Sequence, residues 1–215
     1  GCGGGSTPSE KTEDPGWQRV QWVALTINAV MFAVEIAAGV AAQSASLKAD
    51  ALDFLGDAAN YAISLGVASL ALQWRARAAL AKGVSLLLLG AWVLVSTVWM
   101  AVNGTLPAAG TMGVIGVLAL AANLVCAAML WRHRKGDANR RSVWICSRND
   151  AIGNIAVVAA AAGVFGTGTA WPDIAVALVL ASLGLSGGWQ IVSQALGELR
   201  HGDVTPRRSG TAPRH

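Results

Sequence analysis

Six apolar runs of about twenty residues each constrain this chain more than anything else in it. A helix rises about 1.5 Å per residue, so roughly 20 apolar residues are needed to cross the hydrocarbon layer of a bilayer. The runs cover residues 19–42, 49–74, 79–102, 110–131, 142–166 and 171–196. Each stops at a charge cluster or a Gly/Pro-rich turn, as helix ends do. Inside lipid the backbone must satisfy its own hydrogen bonds, and consecutive runs of this length do so as helices. The expected fold class is therefore all-α, a six-transmembrane-helix bundle. Composition agrees. Only 13% of the 215 residues are charged, about half the share usual in soluble domains. The nine tryptophans suit the membrane–water interface.

Lysine and arginine set the orientation. The segment "AAQSASLK" holds one, Lys48, while "NGTLPAAG" and "TGTAWPD" hold none. The other fifteen of the sixteen lie before residue 20, in "WRARAALAK", in "RHRKGDANRRSVWICSR" and in the tail from Arg200. All of those regions fall on one side of a six-span chain, so both termini are expected in the cytoplasm. Residues 1–16 read as a disordered polar tail, 17–199 as one membrane domain, and 200–215 as a short basic cytoplasmic tail too small to bury a core. The basic residues are spread over several loops and form no nucleic-acid-binding stripe. Cys2, Cys126 and Cys146 have no disulfide or zinc-finger spacing, and the last two fit packing roles. After a preceding methionine, Gly1 to Ser6 would match a myristoylation pattern with Cys2 beside it; the plainer reading is an unstructured tail.

Against this background the stretch "DALDFLGD", Asp50 to Asp57, stands out. Five acids fall within the expected spans: Glu35, Asp50, Asp53, Asp57 and Asp150. An Asp at mid-membrane costs roughly 2.5–3.5 kcal/mol on insertion scales. Several facing lipid would be prohibitive, so they are expected to face a protein interior or an aqueous cavity, where such residues mark ion or proton pathways. Asp53 and Asp57 are four apart and share a helix face. Like charges that close repel unless a cation sits between them. Asp150 and Asn154 repeat the spacing on the fifth span. "DFLGD" and "DAIGN" also share a glycine before the second polar residue, and Gly56 and Gly153 are expected to allow close helix approach. If the second and fifth helices pack together, Asp53, Asp57, Asp150 and Asn154 form four oxygen donors around one point, a set suited to a divalent cation.

Blander roles compete. Asp150 could pair with Arg148 or be solvated. Asp50, one turn before Asp53, reads as half-structural, helping a metal leave or holding Lys48. Glu35 and Asn28 on the first span and Asn123 on the fourth fit helix–helix hydrogen bonding better than ligation. Asp173 reads as a charge favouring the dipole at the start of the sixth helix. His133, His201 and His215 share no helix face with the acids. No nucleophile–base pair is visible on the spans, which argues against an enzyme.

The stretch "NAVMFAVEIAAGVAAQSASLKADALDFLGDAANYAISL" resembles the first two helices of the cation diffusion facilitator family, proton-coupled efflux carriers of zinc and related metals. The family pattern "SLxADAxxxxxD" runs here from Ser46 to Asp57. Its fifth-helix pair corresponds to Asp150 and Asn154, with Asn154 replacing an Asp. The resemblance covers residues 19–199, without the family's cytoplasmic metal-binding domain or the histidine-rich loop of some members. It implies a multi-pass protein of the bacterial inner membrane, a secondary active transporter with no prosthetic group. The transported species would be a divalent cation (zinc, cadmium, cobalt or manganese) exchanged for protons, and the family habit is a homodimer. The charged ligands would be Asp53, Asp57 and Asp150, with Asn154 neutral. A chain without the soluble domain could instead be a non-transporting membrane protein that binds metal as a scaffold or sensor.

Overall fold

The computed structural model describes residues 15–66, 72–132 and 138–202, with side chains placed for all of these except residues 72, 138–148 and 201–202. Every regular element among them is helical: α1 (Pro15–Ala41), α2 (Ala45–Gly66), α3 (Leu72–Asn103), α4 (Ala109–Trp131), α5 (Ala138–Thr167) and α6 (Trp171–Gly202). Five are long and apolar enough to cross a membrane. The exception is α2, whose 22 residues include Lys48, Asp50, Asp53 and Asp57. The continuous apolar character of residues 65–72 hid the break between the second and third runs, so Trp74, expected at the end of the second span, lies near the start of α3.

The helix with the most acids is also the most enclosed. Alone among the six, α2 touches every other helix. Twelve of its 22 residues are buried, against six of 27 in α1, and none from 45 to 61 is exposed. Large exposed apolar side chains such as Trp22, Val30, Val95, Leu124, Phe165 and Trp189 come from the other helices, and none from α2. That is the distribution a bilayer demands: apolar surface meets lipid, and the costly carboxylates go to the middle.

The bundle has two parts around α2. The α3–α6 pair forms its most extensive helix–helix contact, while α4 packs on α5 and α1 on α2, with a smaller contact between α1 and α4. The crossing of α3 and α6 is backbone to backbone. A Cβ on Gly83 would lie 2.8 Å from Val192 Cγ2 and 3.1 Å from the Gly188 carbonyl oxygen, and one on Gly188 would lie 3.3 Å from the Gly83 carbonyl oxygen. Small residues allow this approach, which lipid-embedded helices use in place of a hydrophobic drive. Gly56 and Gly153, expected to serve that purpose, do not. A Cβ on Gly56 would find nothing nearer than the Leu86 methyls at 4.0 Å, and one on Gly153 would meet Leu180 at 3.7 Å. Those are ordinary contacts, because bulky leucines already hold the neighbouring helices apart there.

One end of the bundle is tied together by short turns. Ala108 N–H donates to the Ala42 carbonyl at 2.9 Å, joining the α3–α4 turn to the α1–α2 turn. Beside them lies a buried cap. Ser44 Oγ accepts from Leu47 N–H at 3.2 Å, a side-chain cap on the third residue of α2. The Asp173 carboxylate, from the first turn of α6, accepts from Ala45 N–H at 2.7 Å and Ser46 N–H at 2.9 Å. It also accepts from the hydroxyls of Ser44 (2.8 Å) and Ser46 (2.5 Å). The charge expected to serve only its own helix thus also caps α2 and locks two helix starts together.

Candidate metal centre

The proposed metal-site residues occupy α2 and α5, which pack against each other. Asp57 of α2 and Asp150 of α5 bring their carboxyl groups to hydrogen-bonding range. Asp57 is 9% exposed and Asp150 is half-buried. Asp53, one turn along α2, is half-buried and adds its charge to both. Asp53 lies in the stretch of α2, residues 45–61, in which no residue is exposed. Among the described residues, no three His, Cys, Asp or Glu side chains stand close enough together to hold an ion without moving.

Asn154 is held at both ends of its amide. Its Oδ1 accepts from Asn123 Nδ2 at 2.8 Å, and its Nδ2 donates to Asp50 Oδ2. The amide oxygen keeps one lone pair beyond the bond from Asn123. Asn123 thus joins α4 to α5, and Asn154 joins α5 to α2. Asn28 of α1 donates to the Ala24 carbonyl at 2.8 Å and to Cys126 Sγ of α4 at 3.8 Å. Its Oδ1 is buried with no donor. Glu35 is fully buried and faces Asp50, and no donor among the described residues reaches either of its oxygens.

Asp50 does not hold Lys48. Residues two apart on a helix point to nearly opposite sides. Lys48 Nζ instead donates to Ser96 Oγ at 3.0 Å and to Met100 Sδ at 3.4 Å on α3, and stands over the Trp92 ring at 5.4 Å. Among the described residues, the cation that acts on Asp57 is one the sequence did not single out. Lys82 of α3 is 9% exposed, donates to Asn60 Oδ1 at 2.5 Å, and lies close enough to Asp57 to attract it. The suggested pairing of Asp150 with Arg148 falls on a side chain outside the described residues, as do the side chains of Cys2, Cys146, His133, His201 and His215.

A profile of the cation efflux transmembrane domain matches residues 21–199. The chain belongs to the cation efflux family. Like its family, it is an integral membrane protein. Two curated relatives carry related names: "Metal cation efflux system protein CzcD" of Cupriavidus metallidurans and "Cation efflux system protein CzcD" of an Alcaligenes species. Each is 26% identical over 199 residues, covering 87% of this chain. The chain spans 63% of the length of these relatives. In this cation efflux protein the matched region holds all six helices, including the carboxylates of α2 and α5.

Proposed function

We propose that this protein carries divalent metal cations out of the cytoplasm of a bacterial cell across the inner membrane, in exchange for protons. The reading rests above all on Asp57 and Asp150 meeting between two helices at membrane depth, in a member of the cation efflux family. The ion is ligated by Asp53, Asp57 and Asp150, with the free lone pair of Asn154 as a neutral donor. Ligation of one ion by all of them requires these side chains to stand closer together than they do. Metal and protons compete for the same carboxylate oxygens, which makes exchange the natural transport mode. An all-oxygen site with no imidazole or thiolate discriminates weakly by softness, so zinc, cadmium and cobalt, and manganese to a lesser degree, are all carried. The excess of Lys and Arg at the end away from the 42–44 turn supports a cytoplasmic position for that end.

Purified protein in proteoliposomes provides the test. Metal flux should accelerate when a proton gradient opposes it and stop when a protonophore collapses that gradient. Asp57→Asn should bring flux to the level of empty vesicles. Binding without gradient-driven flux would instead mark a metal-binding scaffold, and normal flux in Asp57→Asn would remove these residues from the path.

A further inference from the structure

Polar side chains between the helices lie at two levels. One holds Asn28, Cys126, Asp57 and Asp150; the other holds Glu35, Asn123, Asp50 and Asn154. Each level takes one residue from α1, α2, α4 and α5. On α1 the step from Asn28 to Glu35 is seven residues, and on the antiparallel α2 the same step runs back from Asp57 to Asp50. Seven residues are about two helical turns, or roughly 10 Å along the axis, while the steps on α4 (Cys126 to Asn123) and α5 (Asp150 to Asn154) are about one turn, so the levels draw together on that side. The first level is the metal centre described above, with Lys82 beside it. The second lies nearer the end closed by the 42–44 turn.

We propose that Glu35 and Asp50 form a second divalent-cation subsite, which the ion occupies after leaving the Asp57–Asp150 level. The proposal rests on the transport reading above. Glu35 is 0% exposed and Asp50 is 1% exposed. Their carboxyl groups stand within hydrogen-bonding range of each other, and no other group among the described residues donates to Glu35. The Asp50 carboxylate is steadied by the Asn154 amide, which is in turn fixed by Asn123. No lysine or arginine among the described residues serves the pair: Lys48 is committed to Ser96 and Met100, and Lys82 to Asn60. Two buried carboxylates with no counter-ion need positive charge from outside the chain. A single dication matches two carboxylates in charge, where one shared proton leaves a net negative charge in an apolar interior. Two facing carboxylates also suit a dication that keeps some of its water. Asn154 touches Asp50 through its amide nitrogen and lies one turn from Asp150, so it links the two levels.

Equilibrium dialysis of cobalt(II) and zinc(II) against the full chain in detergent micelles tests this directly. Wild-type protein should bind two ions per chain. Glu35→Gln and Asp50→Asn should each bind one, Asp57→Asn should bind one, and Glu35→Gln/Asp57→Asn none. Glu35→Asp should keep the second ion with about tenfold weaker affinity, and thermal melting without metal confirms that each variant is folded. One ion in the wild type that survives in folded Glu35→Gln overturns the proposal and leaves the pair holding a proton. Undiminished binding in Asp57→Asn counts instead against the Asp57–Asp150 site, so the two failures are distinguishable.

Discussion

Lys82 and Asp173 show how far a charge can act from where its sequence position suggests. Lys82 is a tethered cation that, in the proposed site, would compete with a metal ion for the charge of Asp57. Lys82→Gln should therefore tighten dication binding about tenfold, the effect of about 1.4 kcal/mol, while slowing release. Calorimetric titration of the purified protein reads the first effect, and vesicle turnover the second. Asp173 accepts four hydrogen bonds in a buried setting. Asp173→Ala leaves two backbone donors of α2 unpaired, which should cost about 1–3 kcal/mol, read as a lowered melting temperature in detergent. Neither role was legible in the sequence, because both depend on which helix lies opposite. The acids of α2 and α5 were legible, because fixed spacing on one helix defines a shared face without any knowledge of neighbours. Asn154 lies between these cases: its place on that face could be read, but its grip on Asn123 and Asp50 could not.

At the level of whole helices, the number and order of the six segments follow from the apolar runs, while their ends shifted by several residues, most of all at the end of α2 and the start of α3. Helix-to-helix packing was harder to read. All the glycines look alike in sequence, and only the surroundings show which of them meets another backbone. Gly83→Leu should separate α3 from α6, since the Gly188 carbonyl at 3.1 Å from the new Cβ is backbone and cannot rotate away. A loss of about 1–3 kcal/mol, the usual effect of overpacking, is expected in chemical or thermal unfolding. Gly56→Ala, with its nearest neighbours at 4.0 Å, should be neutral or stabilising by up to about 1 kcal/mol through helix propensity. If both substitutions behaved alike, the glycine crossing would have no special weight in holding the pair.

Across the whole molecule, the asymmetry of basic residues predicts that the turns at residues 42–44, 104–108 and 168–170 face away from the cytoplasm. In a background lacking the native thiols, a cysteine placed at Thr105 or Thr169 should react with a membrane-impermeant maleimide added to intact spheroplasts. One placed at Arg132 should react only after lysis, and the reverse pattern would invert the transport direction argued above. The two kinds of seam around α2 carry a mechanical consequence. Where Gly83 meets Gly188, the main chains approach closely, and with the extensive α3–α6 contact the two helices would be expected to move together as a single plank. Where Leu52 meets Gly184 and Leu86 meets Gly56, greasy side chains lie against smooth patches and can slip. A rocking motion that opens the site by turns to each side of the membrane would thus run along the leucine seams, carrying Lys82 toward and away from the acids with every stroke.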